Sequence, residues 1–331
     1  MVSKSTLDTG RKYLQDGHFD LLFYGLIFFI ASRWCLLLDK FHYNLSRVCH
    51  RKPYGLNEIV EVNGHLMQIS LEDKGISQEL YLHKKREHFS TDFINSFVQE
   101  NEIVIDIGAN IGYYALLESK LAKDGEVYAI EPIPSNFSLL ERNIELNGYK
   151  NISTYQLAIS DSDMIKTMYI YDKCNWCSFN KNLDGSQTGQ LDVMSMTLDK
   201  FTETYLNKKP TFVRMDLEGH EYQAIKGASK ILRECAPLKL NIEFHPHLMP
   251  KEHMKELLSI LKENNFAIRA VTFNPPAHIY RNFKLFNYLR RKLGYYEFGL
   301  NNASYEDLEK IVNSKFSTPI VFFEKEFCTR L

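Results

Sequence analysis

The chain has 331 residues, 44% hydrophobic and 24% charged, which is enough apolar material for a full core in one large domain or two modest ones. Its 40 Lys plus Arg against 41 Asp plus Glu leave a net charge of −1, arguing against a protein built mainly to coat nucleic acid and against an acidic disordered tail. The 16 Gly and 10 Pro exclude collagen-like and low-complexity compositions; six scattered cysteines form no disulfide framework, so a reducing, cytoplasmic setting is expected.

Residues 1–55 read as a hydrophobic, helical extension. Leu21–Ala31 is an apolar run that resumes at Trp34–Leu38 after Ser32 and Arg33. Together they make about 18 residues, the lower edge of what spans hydrocarbon. No A-x-A-like cleavage site follows, so a secretory signal is not expected. Two readings stay open for 21–38: a membrane anchor or surface-embedded helix, or a helix docked on the protein's own core or on a partner.

From residue 56 onward the pattern is that of one domain, with a hairpin and helix over 56–98, a core over 99–273 and a variable segment ending in a last strand over 274–331. Asn63-Gly64 sits between the alternating runs Glu58–Glu61 and His65–Leu71, which predicts a β-hairpin. A polar helical stretch is expected over about 78–98. Strands are then expected at Ile103–Ile107, Glu126–Ile130 and Ile152–Ile159, with helices at Gly112–Ala122 and Ser135–Asn147, the latter closed by Gly148. Residues 163–197 alternate and read as a β-excursion. Thr211–Met215, Leu238–Phe244, Phe266–Thr272 and Pro319–Lys325 read as further strands; Gly219–Glu234 and Lys251–Asn264 read as helices. Strands alternating with helices in this way specify an α/β fold with a doubly wound, mostly parallel, Rossmann-like sheet.

The segment IVIDIGANIGYYALLES (103–119) is a strand ending in an acid, a glycine-containing turn and a helix. Ligands of such sheets bind at the carboxyl ends of the strands. Gly108 and Gly112 let backbone approach a ligand, and Glu131 closes the next strand, where a carboxylate can accept both ribose hydroxyls. The dinucleotide fingerprint requires G-x-G-x-x-G, and Gly108-Ala109-Asn110-Ile111-Gly112 lacks it. Asp106 would repel a diphosphate but suits an amino group, so S-adenosylmethionine fits better than a nicotinamide dinucleotide.

IDIGANIGYYALL (105–117), AIEPIPSNFSLLERNIELNG (129–148) and VRMDLEGHEYQAIKGASKILRECAPLKLNIEFH (213–245) together resemble the FkbM-type class I methyltransferases. The likeness runs from about 56 to 272 and includes the last strand. It implies a seven-stranded methyltransferase sheet and S-adenosylmethionine-dependent O-methylation of sugars or other small or glycan-linked hydroxyls and carboxylates. It further implies that Asp106, Gly108, Asn110 and Gly112, with Ala109 and Tyr113 in the same turn, face the methionine side. Glu131 would hold the ribose and Asp161 would sit near the adenine.

On the acceptor side, Asp216 ends the fourth core strand, with Glu218, His220 and Glu221 on the following turn. Glu243 and His245 close the next strand, followed by His247. A hydroxyl acceptor needs a base, whereas a carboxylate acceptor does not. Asp216 or His245 is expected to supply the base, with Glu218 and Glu221 orienting the acceptor. No complete metal-ligand set is present, so no metal is expected. Cys174-Asn175-Trp176-Cys177 stands without a second pair, leaving Trp176 as a sugar platform or an ordinary loop aromatic. His278–Lys292 carries five basic residues interleaved with aromatics, either an anion-attracting patch or the solvated face of an amphipathic helix. The expected partner is a small-molecule or glycan acceptor, with residues 21–38 as an optional membrane contact and no nucleic acid. An RNA methyltransferase and a non-catalytic cofactor-binding protein of the same fold are the alternatives.

Overall fold

The computed structural model describes residues 57–73, 75–171, 177–179, 187–273, 298–313 and 318–325. The apolar 21–38 segment, Cys174, Trp176 and the basic 278–292 segment lie outside the described residues. Among the described residues, no helix is long and apolar enough to cross a membrane.

Strands β1 (Asn57–Val62) and β2 (His65–Ser70) pair antiparallel around Asn63 and Gly64, whose φ values of 50° and 78° fit the expected two-residue turn. The polar stretch after them is two helices, not one: α1 (Ile76–His83) and α2 (His88–Phe97). They are separated by a turn in which Lys84 and Glu87 both take left-handed backbone conformations.

The central sheet is assembled from β3 (Ile103–Ile107), β4 (Glu126–Ile130), β5 (Ile152–Tyr155), β9 (Phe212–Met215), β10 (Lys239–Glu243), β11 (Phe266–Phe273), β12 (Phe298–Asn301) and β13 (Ile320–Lys325). Their order is β12-β11-β13-β10-β9-β3-β4-β5. The five strands from β10 to β5 run parallel, while β13 inserts antiparallel between β10 and β11. The sheet thus has the expected doubly wound topology, with β12 as an eighth strand on its edge. The chain leaves β3 first toward β4 and later returns to β9, so the order reverses between β3 and β9. The crevice at the carboxyl ends of those two strands is where such sheets bind ligands.

Helices α3 (Tyr113–Leu121) and α4 (Pro134–Asn147) follow β3 and β4. The strand alternation sends Val104 and Phe212 to the face shared with the hairpin and α1–α3, and Ile105 and Val213 to the other. That second face is covered by α5 (Leu198–Tyr205), α6 (Glu221–Lys226), α7 (Ser229–Glu234) and α8 (Lys251–Glu263). A ninth helix, α9 (Tyr305–Asn313), adds Leu308 and Val312 to the same core.

Two expected elements are divided. The strand expected over 152–159 is β5 in the main sheet and β6 (Ala158–Ser160) in a separate one. The helix expected over 219–234 is α6 and α7, interrupted at Gly227. At the second division Gly227 lies so close to the β6 backbone that a Cβ there would meet the Ser160 carbonyl oxygen at 2.1 Å. Strands β7 (Met164–Tyr171) and β8 (Gln187–Thr197) pair antiparallel and β6 joins β8, which makes the expected β-excursion a three-stranded sheet.

The turn between β3 and α3 is equally crowded. Gly108 has φ +83°, and a Cβ on it would lie 2.1 Å from the Asp216 backbone oxygen at the end of β9. Gly108→Ala therefore sets backbone against backbone in a conformation that L residues avoid. It is expected to lower stability by more than about 1 kcal/mol, read as a shift of the urea midpoint with an unchanged slope.

Candidate functional site

Beneath the crevice lies a buried ion network. Asp106 on β3 and Arg214 on β9 occupy equivalent register positions on neighbouring strands and point to the same face. Arg214 Nη1 donates to Asp106 Oδ1 at 3.0 Å, and its Nη2 reaches Asp216 Oδ2 at 3.4 Å. The ring of Tyr114, on α3, covers the guanidinium at 4.0 Å. Burial raises the Asp106 pKa, Arg214 opposes that shift, and Asp106 Oδ2 has no hydrogen-bond partner among the described residues. The cation facing Asp106 is thus Arg214, and Asp106 is sealed from the crevice. Glu118, buried on the same helix, is pushed well above the usual carboxylate range by burial and by Asp106.

Above this network opens a cavity of about 650 Å³, counting its solvent-open mouth. At one end Glu131 is fixed by two backbone donors: Asn110 N–H to Oε2 and Ile133 N–H to Oε1, each at 2.9 Å. Asn110 adopts φ 51° there, which turns its amide toward the carboxylate. Burial lifts the Glu131 pKa to about 7. The adjoining wall is apolar, with Ile133, Leu157 and Ile159 joined by Met168 and Phe179 from the β-excursion.

At the other end are Asp216, Glu218 and Arg86. Burial, the largest single influence, would raise the Asp216 pKa, but Arg214, His245 and Arg86 together outweigh it and hold this carboxyl below its ordinary value. Glu218 (φ 47°) projects into the cavity, and burial lifts it to about 7 against the pull of His245. His245 lies behind, its Nδ1 2.8 Å from Glu221 Oε1 and its Nε2 3.4 Å from Glu218 Oε2. Burial opposes its charge, yet Glu218 and Glu221 carry its pKa well above the usual imidazole value. A doubly protonated ring has no lone pair to accept a proton, which is at odds with the expectation that His245 is the base. Burial, then Asp216 and Glu87, push the Glu243 pKa well above the usual carboxylate range.

Of the residues selected from sequence, Gly108, Asn110, Glu131, Asp216 and Glu218 line the cavity. Asp106, Ala109, Gly112, Tyr113, Asp161, Glu221 and His245 do not. The Asp161 carboxylate is taken by Lys166 Nζ at 2.7 Å, which holds its pKa near about 2. In its place His220 lines the wall, bonded to Ser160 Oγ at 2.8 Å and kept neutral by burial down to a pKa of about 3. Sequence reasoning missed Arg214 and Arg86. The first has a usable signal, since a cation inside an otherwise apolar strand must be paired; the second, in the polar run 84–87, has none.

Asp216, Glu218 and His245 each offer one ligand atom within 4.8 Å of the others, so these three side chains are the described set that could share a metal ion. The cavity also suits a nucleoside with an amino-acid arm. It has a carboxylate with backbone-fixed oxygens for a ribose, an apolar wall for a base, and charges of both signs at the far end.

Residues 106–268 match the family model described as the Methyltransferase FkbM domain. The chain is 28% identical over 160 residues to the hexuronic acid methyltransferase AglP of Haloferax volcanii, covering 48% of this chain and 62% of that protein. It is 24% identical over 147 residues to Methyltransferase 1 of Beauveria bassiana, covering 39% of this chain and 59% of the relative. The chain thus spans about 60% of the length of these curated relatives. Among solved structures, M. jannaschii TYW2 in complex with AdoMet aligns with 82% of this chain and 87% of its own, at 15% identity and a TM-score of 0.41.

Replacing Arg214 with Met would strand Asp106 in the core without its counter-charge. The single variant is expected to lose about 3–5 kcal/mol of stability. Asp106→Asn combined with Arg214→Met should recover a substantial part of that loss, as measured by a double-mutant cycle in urea.

Proposed function

This chain carries the FkbM methyltransferase domain over residues 106–268, and on that premise we propose that it is an S-adenosylmethionine-dependent O-methyltransferase acting on a sugar or glycan. The observation that carries the proposal is the single cavity joining Glu131 and the Gly108 turn to Asp216 and Glu218. The resemblance to a hexuronic acid methyltransferase supports an acidic sugar as acceptor. The balance of 40 basic against 41 acidic residues favours a small or glycan acceptor over a polyanion such as RNA.

When bound, S-adenosylmethionine supplies an electrophilic methyl group on a sulfonium. The protein's part is to hold donor and acceptor in line and to manage one proton. Glu131 accepts from the ribose hydroxyls, its orientation already fixed by the Asn110 and Ile133 amides. Gly108 presents backbone without a Cβ. Asp216, which stays ionised, supplies negative charge beside the sulfonium. Glu218 is the base for a hydroxyl acceptor: it faces the cavity, and a pKa of about 7 lets it take a proton at neutral pH and release it to solvent. His245, held by Glu221, positions Glu218 from behind.

Calorimetry with S-adenosylhomocysteine tests the donor half: wild type binds, and Glu131→Ala weakens binding at least about tenfold, as expected for loss of hydrogen bonds to a charged acceptor. If S-adenosylhomocysteine gives no heat while NAD does, the donor assignment is wrong. Labelled methyl transfer into extracted glycans tests the acceptor half. Label released by mild alkali marks a carboxylate ester, whereas alkali-stable label marks an ether.

For a hydroxyl acceptor, Glu218 must be deprotonated, so kcat/KM rises tenfold per pH unit below about 7 and levels off above it. Glu218→Gln is expected to remove that limb and lower kcat by about 10²–10⁴. An unchanged profile in that variant would show that the base lies elsewhere.

A further inference from the structure

We propose that Arg86 is the carboxylate anchor of the cavity, holding the amino-acid end of the cofactor through its two terminal nitrogens. This rests on the reading of the cavity as an S-adenosylmethionine site. Arg86 lies outside the matched domain, in the turn between α1 and α2, and is the cationic side chain of the cavity lining among the described residues, His220 being neutral there.

Arg86 is held from both ends of its polar framework. Its backbone is clasped by Tyr113 of α3: the Tyr113 hydroxyl accepts from the Arg86 N–H at 3.1 Å and donates to the Arg86 carbonyl at 3.1 Å. Thr91 Oγ1 donates to the same carbonyl at 2.8 Å. The guanidinium is fixed at its root, where Nε lies 2.5 Å from Glu87 Oε1 and 3.8 Å from Glu79 Oε2. Glu87 is in turn fixed by Tyr114, whose hydroxyl donates to Glu87 Oε2 at 2.6 Å. In both ion pairs the closest approach is at Nε, and neither terminal nitrogen donates a hydrogen bond to a described residue, while the side chain, 15% exposed, borders the cavity.

A guanidinium with Nε spent and its two terminal nitrogens free presents two parallel donors, the geometry that matches a carboxylate bidentately. Asp216 and Glu243 act on Arg86 through space, but no ion pair between either of them and Arg86 is present. A ligand with its ribose at Glu131 extends its remaining arm toward Asp216 and Arg86. An amino-acid arm carries an ammonium and a carboxylate, and these two residues supply the opposite charges. Asp106, closed off under Arg214, leaves that task to them.

The test compares S-adenosylhomocysteine with 5′-methylthioadenosine, which keeps the nucleoside and thioether but lacks the amino-acid arm. In calorimetry, Arg86→Met is expected to raise the Kd for S-adenosylhomocysteine by about 10- to 100-fold, the range for losing a charge-assisted pair. The Kd for 5′-methylthioadenosine should stay within about twofold, which also certifies the fold. Arg86→Lys, which keeps the charge but not the fork, should fall between and carries the test if the methionine variant does not fold. Equal weakening of both ligands, or no change in either, overturns the proposal while leaving the cofactor reading intact. Wild-type protein that binds neither ligand overturns the cofactor reading, and this assignment with it.

Discussion

Everything at the crevice hangs from one buried cation. Arg214 joins the ends of β3 and β9 by pairing with Asp106 on one strand and reaching Asp216 beyond the other, under the Tyr114 ring. Those strands flank the point where the sheet reverses its winding, so their relative placement sets the floor of the cavity. Burying two acids and a guanidinium there costs desolvation energy, and a well-packed apolar set could give equal stability. What the ions contribute is register and charge: Asp216 is oriented at the cavity edge with its pKa held down, beside acids whose pKa values are pushed up.

The electrostatics divide the acids into distinct roles by environment. Asp216 lies next to Arg214 and keeps its negative charge. Glu218 and Glu131 are withdrawn from water, and burial lifts both pKa values to about 7, in Glu218 against the pull of His245 and Arg86. Glu243 is likewise pushed well above the usual carboxylate range, and His245 well above the usual imidazole value. Chemically similar side chains within one crevice are therefore driven in opposite directions by their surroundings.

Much of this was legible in the sequence. The apolar runs at 103–107, 126–130 and 238–244, bounded by turn residues, marked the parallel strands, and the acid closing the second one lines the cavity. The hairpin followed from Asn63-Gly64. The splits at 152–160 and 219–234 were not legible, and the close approach of Gly227 to Ser160 joins segments about 67 residues apart in the chain, beyond the reach of a local pattern. The same is true of Asp106. Its position announced a ligand-facing acid, and only the neighbouring strand reveals that Arg214 meets it first. Arg86 offered no local pattern at all, since its significance comes from two tyrosines on a helix of another segment.

The antiparallel β13 has a consequence for how the molecule is made. It occupies the slot between β10 and β11, so a ribosome must have passed residue 325 before the sheet can close. Until then the nascent chain presents two unpaired strand edges facing an apolar gap, which Val321, Phe322 and Phe323 later fill. Closure of the sheet on that side thereby waits for β13, and a polypeptide cut short before residue 320 exposes sticky edges instead of a smaller closed sheet.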